Sequence, residues 1–451
     1  MRFKNLAASL LFLFSTTQAV LAQEVAQAPP TDQFFDMDIE SLLNIDVSKL
    51  DKKFVIYGYV NANLEEVFNI PRIGANGQTE SESDPYEFSI PNFHIYGKAN
   101  LFDNIDILIN LAKSGNGLEI RNAWGNFKLY QDLFQVRFGK MYQKFGLYNE
   151  KLDQIPVILG IEPPELFDQD HLLLPRTTSL MLHGENTINN WGYAYALATD
   201  NGEGGASLNT LPLSWDLRGK VNLDFAPLSN PSIILGTSGF VSSITGGKGT
   251  STVGLGNGSP RGGILPWMSG DNYMVFGGFL ESQIFENLNI QAAYWHAVHN
   301  GERNPESVLN IVRNGGLLPS QRQRFLGSNS SKSNDALSAS DVITQANYQV
   351  QTFYLRAGYS IPTDFGTFTP YAFLDWMSHP EVIGSKTYGG DNEAGMSDDG
   401  VFFKPSLGVV YRPTQNVALK VDSSMHIQKF NGATTMYPEV RFDASFAFST
   451  Q

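Results

Sequence analysis

Six carboxylates crowd one stretch of this chain. Glu150, Asp153, Glu162, Glu165, Asp168 and Asp170 lie between Gln143 and Thr177, against Lys144, Lys151 and Arg176. Elsewhere cations recur on one face of segments in which apolar and polar residues alternate: Lys98, Lys128, Arg137, Arg218, Lys220, Arg356, Lys404, Lys420 and Arg441. Acids share that face, at Asp106, Asp216, Asp224, Asp375, Asp422 and Asp443. Opposed charges of this kind set up a field rather than a reaction. An acidic segment facing a basic wall would align water and polar solutes passing between them. Taken singly, each wall charge can instead pair with a cross-strand neighbour.

Other chemistry fits less well. Gly246-Gly247-Lys248-Gly249-Thr250 lacks the spacing of a phosphate-binding loop, because Ser242 and Gly249 stand where Gly and Ser or Thr are needed. His296 and His299 differ by three on a predicted strand, so they point to opposite faces and cannot share a metal. Asp391, Glu393, Asp398 and Asp399 offer oxygen ligands of the kind calcium takes, or are a solvated loop. Arg303, Arg313, Arg322, Arg324 and Lys332 could meet lipid phosphates. No Gly-x-Ser-x-Gly element occurs, and no Ser/His pair can be placed on one strand end, so no catalytic residue is expected. Cysteine is absent, which removes disulfides and thiolate metal sites, and no metal or cofactor is implied.

The charges sit on a repeating element. In Trp215, Leu217, Gly219, Val221, Leu223 and Phe225 the apolar series is interleaved with Asp216, Arg218, Lys220, Asn222 and Asp224. A strand sends alternate side chains to opposite faces, so one face suits lipid and the other water. Sixteen such segments are expected, near 53–66, 88–102, 105–113, 119–130, 134–142, 178–186, 191–199, 215–225, 232–243, 272–285, 288–299, 344–361, 365–377, 402–412, 416–427 and 438–449. Short turns fall at 103–104, 131–133, 187–190, 226–231, 286–287, 362–364 and 413–415, always at the same end of the hairpins. Outer-membrane barrels sort their connections in this way, with short periplasmic turns and longer external loops. A soluble β-sandwich would not sort its loops by parity. Tyr57, Tyr59, Trp191, Tyr193, Tyr411 and Phe448 fall near strand ends, where aromatic girdles sit.

The expected class is therefore all-β, a transmembrane antiparallel β-barrel. Residues 1–22 read as a signal peptide: Arg2 and Lys4, an apolar Leu6 to Phe14, then Val20-Leu21-Ala22 before Gln23. Residues 23–52 form a periplasmic leader that has room for a short helix, and 53–451 the barrel. The rival reading of the first segment, a membrane anchor, meets an apolar run that is too short. The net charge of −14 argues against nucleic acid as partner. Localisation follows: the outer membrane of a Gram-negative bacterium.

Ile120-Arg121-Asn122-Ala123-Trp124, Val136-Arg137-Phe138-Gly139-Lys140 and Phe145-Gly146-Leu147-Tyr148-Asn149-Glu150 resemble the outer-membrane porin superfamily, most closely the phosphate-selective porin O and P family. The resemblance implies sixteen strands, a homotrimer and a third external loop folded inward. The stretch from Gln143 to Thr177 carries many apolar residues, among them Leu147, Leu152, Ile155, Ile158, Leu159 and Ile161. Packing against an inner wall would explain them, and so would packing on neighbouring loops or a subunit partner. No ladder of Arg and Lys can be traced, so phosphate specificity does not follow.

The expected function is passive diffusion of small hydrophilic solutes or ions, with Glu150, Asp153, Glu162, Glu165, Asp168 and Asp170 at a constriction and Lys98, Arg137, Arg218, Lys220, Arg356 and Lys420 on the wall. Lipid and lipopolysaccharide of the outer membrane are the expected surroundings. A channel specific for phosphate, sugar or an organic acid is the first alternative. A non-conducting barrel acting as adhesin or envelope anchor is the second.

Overall fold

The computed structural model describes residues 54–450 apart from 74–78, 84–86, 91, 115–116, 165–176, 201–206, 223–231, 246–266, 286, 314–316, 318, 382–399 and 431. The signal segment, the leader, Glu165, Asp168, Asp170, the glycine-rich stretch and the Asp391 to Asp399 cluster thus lie outside the described residues.

Sixteen long strands follow one another: β1 (Phe54–Val67), β2 (Phe93–Phe102), β3 (Ile105–Ser114), β4 (Gly117–Tyr130), β5 (Phe134–Met141), β6 (Thr177–Ile188), β7 (Trp191–Asp200) and β8 (Ser207–Asn222), then β9 (Ser232–Thr245), β10 (Met268–Phe285), β11 (Leu288–Arg303), β12 (Gln345–Tyr359), β13 (Gly366–Ser378), β14 (Val401–Thr414), β15 (Val417–Phe430) and β16 (Ala433–Ser449). Each pairs antiparallel with the next, and β1 pairs with β16 from Tyr57 opposite Ser449 to Val67 opposite Glu439. The sheet is closed, so its backbone groups are satisfied without an exposed edge. Two short strands, Glu87–Ser89 and Ile361–Thr363, extend the ladder beside β1 and β13. All sixteen expected segments are present. The largest boundary difference is in β8, which starts at Ser207 rather than Trp215.

The alternation read from the sequence becomes an inversion of the usual globular arrangement. On β16, Phe442 is 41% exposed on the outer face while its neighbour Asp443 is fully buried on the inner one. Along the same strand Val440, Phe446 and Phe448 face out, and Glu439, Arg441 and Ser445 face in. Apolar side chains outside and charged ones inside suit a hydrocarbon surround and a wet interior. A barrel of this many strands is too wide for its own wall side chains to fill. The short turns lie at one end; Asn189 takes the left-handed conformation in the tight β6–β7 turn, as a two-residue hairpin requires.

Two expectations need correction. Tyr57 and Tyr59 do not belong to a lipid-facing girdle. Their strand exposes Phe54 outward, so by parity both tyrosines point inward; they are buried, and Tyr57 stacks on Tyr96 at 5.0 Å. Arg303 does not reach lipid phosphates. It is buried, donates from Nε and Nη2 to the Glu381 carboxylate at 2.6 and 2.7 Å, and lies over the Phe325 ring. That pair secures the connection between β11 and β12, which carries α1 (Pro305–Arg313) and α2 (Pro319–Leu326).

Candidate functional site

The segment after β5 is anchored residue by residue. Gly146 has φ +60°, a value glycine adopts without strain. There the chain turns so that its N–H donates to Asp216 Oδ2 at 3.1 Å and Ser238 Oγ at 3.0 Å. Its carbonyl accepts from Arg218 at 3.1 Å. Phe145 stacks on Trp295 of β11 at 4.6 Å. Tyr148 accepts from Arg356 Nη1 at 2.9 Å and donates to Gln291. Further on, Tyr59 and Tyr96 both donate to the Asp153 carbonyl, at 2.7 and 2.9 Å.

The cations of β12, β14, β15 and β16 hold the second half. Lys420 Nζ donates to three backbone carbonyls, those of Ile155 at 2.6 Å, Ile158 at 2.9 Å and Gly160 at 2.8 Å. Gly160 sits at φ +104°, and an added Cβ there would press on the Tyr371 ring. Arg412 donates to the Pro156 carbonyl at 2.8 Å. Arg356 Nη2 donates to the Glu162 carbonyl at 2.7 Å. The Glu162 side chain pairs with Lys404 at 2.6 Å and with Arg441. These partners stand on β1, β2, β8, β9, β11, β12, β14, β15 and β16, around most of the circumference.

The expected site residues therefore divide. Asp153 accepts from Asn122 at 3.2 Å, and Glu150 meets Arg218 at 3.5 Å. Burial alone would raise the Glu150 carboxyl, but Lys144, Arg218, Arg137 and Lys151 outweigh it and hold the group below its ordinary range. Arg137 lies over the Trp124 ring at 4.2 Å. Lys98 shares the inward face of β2 with His94, Tyr96 and Asn100. Wall acids are also engaged: Asp216 by Arg218 at 2.6 Å, Asp422 by Tyr371, Asp443 by Asn61 at 2.6 Å. Tyr59, Tyr96 and Arg412 are anchors that charge counting missed; for the tyrosines, inward parity on β1 and β2 was the available signal.

Space is left beside this segment. A cavity of 840 Å³ is lined by Lys144, Glu185, Gly192, Ala194, Arg218, Lys220 and Ile234, with Asp132 in its short-turn rim. A narrower one of 320 Å³ runs between the segment and the wall, and Lys220 and Ile234 line both. Away from that narrower cavity, the side of the barrel formed by β10 to β13 is packed with apolar side chains. There Phe279, Trp295, Tyr354 and Phe373 join Phe145, Tyr148 and Ile158 and the buried face of α1 in one apolar cluster. Among the described residues no group of three potential ligands could hold a metal.

No protein-family model and no curated relative matches this chain. Solved structures do. An outer-membrane channel of Acinetobacter baumannii, DcaP, superposes with a TM-score of 0.50 at 10% identity, over 87% of this chain and 97% of its own. An anion-selective porin from Comamonas acidovorans gives 0.49 at 10% identity, over 88% and 99%, and OmpF of Salmonella typhi in complex with daunomycin 0.46 at 12%, over 88% and 97%. The likeness to the first is one of fold: this chain shares the barrel architecture of that channel.

Proposed function

We propose that this protein is an outer-membrane porin, a passive path for small hydrophilic solutes or ions. The observation that carries the reading is the inverted barrel: a closed sixteen-stranded ladder with apolar side chains outside and charged ones within. Such a wall is stable only between lipid and water. In this reading residues 142–164 fold into the lumen and narrow it. Their partners on nine strands around the circumference support this, since a loop outside the barrel could not reach them all. Glu150, Asp153 and Glu162 then act mainly as anchors of the constriction, and Glu165, Asp168 and Asp170 continue the same loop. Residues 1–22 are the export signal and 23–52 a periplasmic leader. The outward faces suit a homotrimer in contact with lipid and lipopolysaccharide, and no catalytic step is assigned.

The test is single-channel current from purified, folded protein in a planar bilayer. Stable steps, with triplets for a trimer, are expected. Folded and inserted protein that passes no current would overturn the porin reading and favour an adhesin or envelope anchor.

A further inference from the structure

We infer that the connection between β11 and β12 is a latched lid, which closes the outer mouth over the β10 to β13 side and has Arg303 as its latch. The inference rests on the porin reading and adds a second narrowing element to that pore. The first observation is a misfit in the wall. Inward side chains of a wet barrel are expected to be polar. Toward the outer ends of β10, β11 and β12 the inward row instead holds Tyr273, Val275, Ala297, Ala346, Tyr348 and Val350, all buried. The outward neighbours Met274 and Phe276 are exposed. An apolar inward row is stable only under a cover.

The cover is α1. Its Val308, Leu309, Ile311 and Val312 are buried in one apolar cluster with those wall residues, while Glu306 and Arg313 on its other face are exposed. Asn304 starts the helix by accepting the Ser307 N–H on Oδ1 at 3.1 Å, and its own N–H donates to the Trp267 carbonyl beside β10 at 2.7 Å. The rest of the connection is tied to itself. Arg322 donates to the Ser330 carbonyl at 2.6 Å and to Asn334 Oδ1 at 2.8 Å, and Asn334 donates to the Val312 carbonyl at 3.1 Å. A segment so connected moves as one body.

Arg303 joins that body to its surroundings. From the end of β11 its Nη1 donates to the carbonyls of Ile343 at 2.8 Å and Gln345 at 3.2 Å, where the connection returns to β12. Its Nε and Nη2 hold Glu381, in the connection that follows β13, and its guanidinium covers Phe325 of α2. Both charges are buried. A buried ion pair contributes little stability over an apolar pair of similar volume, yet losing one partner is costly. It suits a fastening that either holds or lets go more than a contact that only fills space.

The experiment uses the full chain, whose lack of cysteine allows a single reporter thiol. Val308→Cys places it on the buried face of α1, and a membrane-impermeant maleimide reads its exposure in folded protein inserted in vesicles. With Arg303 present the thiol should react slowly. Arg303→Gln should speed labelling on the order of 100-fold, the scale of a buried pair that loses one partner. Arg303→Lys, which keeps the charge without the fork, should speed it less. Replacing residues 304–343 by Asn-Gly leaves Arg303 beside Thr344 in a two-residue hairpin. In planar bilayers that variant should give larger unitary steps, and in liposome swelling a higher solute size limit. Fast labelling with Arg303 intact, or a replacement variant that folds with unchanged steps and size limit, would overturn the lid. A labelling rate that Arg303→Gln leaves unchanged would overturn the latch. Current from the replacement variant with none from the wild type would support a lid that is shut. No current from either would overturn the porin reading itself, while the labelling still decides the latch.

Discussion

Removing the Lys420 ammonium should release the loop after β5 without unfolding the barrel. In Lys420→Met the aliphatic stem stays and three donors vanish, leaving the carbonyls of Ile155, Ile158 and Gly160 without them. A hydrogen bond from a charged donor contributes about 1.5–3 kcal/mol. The three share one ammonium, so they do not add fully, and burying that charge has its own cost. A net loss of about 3 kcal/mol is a reasonable scale, and it would raise the population of locally released loop roughly 150-fold. The barrel ladder is untouched, because Lys420 keeps its backbone pairing with Val410 and Asp443. Single-channel records should show larger or noisier steps, and liposome swelling should admit larger sugars. Tyr59→Phe, which deletes one neutral bond to the Asp153 carbonyl, should move both readouts the same way by a smaller amount. Lys420→Met protein that folds and inserts with unchanged step size, noise and size limit would refute the claim that this lysine holds the loop.

Acid should act through Glu150 only late. Its folded-state pKa is depressed below the ordinary 4.5, so its anchoring contribution is full above that value and is lost as pH falls through the lower folded one. Channel noise should stay flat from neutral pH to about 4.5 and rise in stronger acid, whereas Glu150→Gln should be noisy at neutral pH. On the outer face, Phe442→Lys puts a charge mid-strand toward lipid and should cost about 2–4 kcal/mol in denaturant titrations of folded barrel in bilayers; a cost near zero would argue against a membrane surround. In the open region, Ala194→Trp should reduce conductance while leaving unfolding unchanged, because that side chain borders the 840 Å³ cavity.

The barrel was legible because each strand carries its own signal. A period of two can be read within a dozen residues, and the parity of the short turns then orders the hairpins. The anchoring of the loop after β5 was not legible in the same way. Lys220 and Lys420 look alike in sequence, each inward on a long strand among alternating apolar residues. One meets three loop carbonyls and the other faces open space. Periodicity assigns a face; it does not say where a loop will pack or which cations it will meet. The same gap explains Tyr57 and Tyr59. Nearness to a strand end suggested a girdle, while the parity set by Phe54 turned them inward. Arg303 shows a third case, since Glu381, its partner, stands 78 residues away in sequence.

The division of the lumen follows from side-chain size. The inward row of β7 is Gly192, Ala194, Ala196 and Ala198, whereas β10 to β13 present Phe279, Trp295, Tyr354 and Phe373. A loop of some twenty residues cannot fill a barrel this wide, so it must lean on one side. Apolar burial draws it to the aromatic side, at about 25 cal/mol for each Å² removed from water. The cations of β12, β14, β15 and β16 then fix it there through its carbonyls and Glu162. The larger space left beside it is where the wall is small, and on the porin reading the charges facing that space decide what passes. On the porin reading, selectivity is set less by how many acids and bases the barrel contains than by which of them the loop has already engaged.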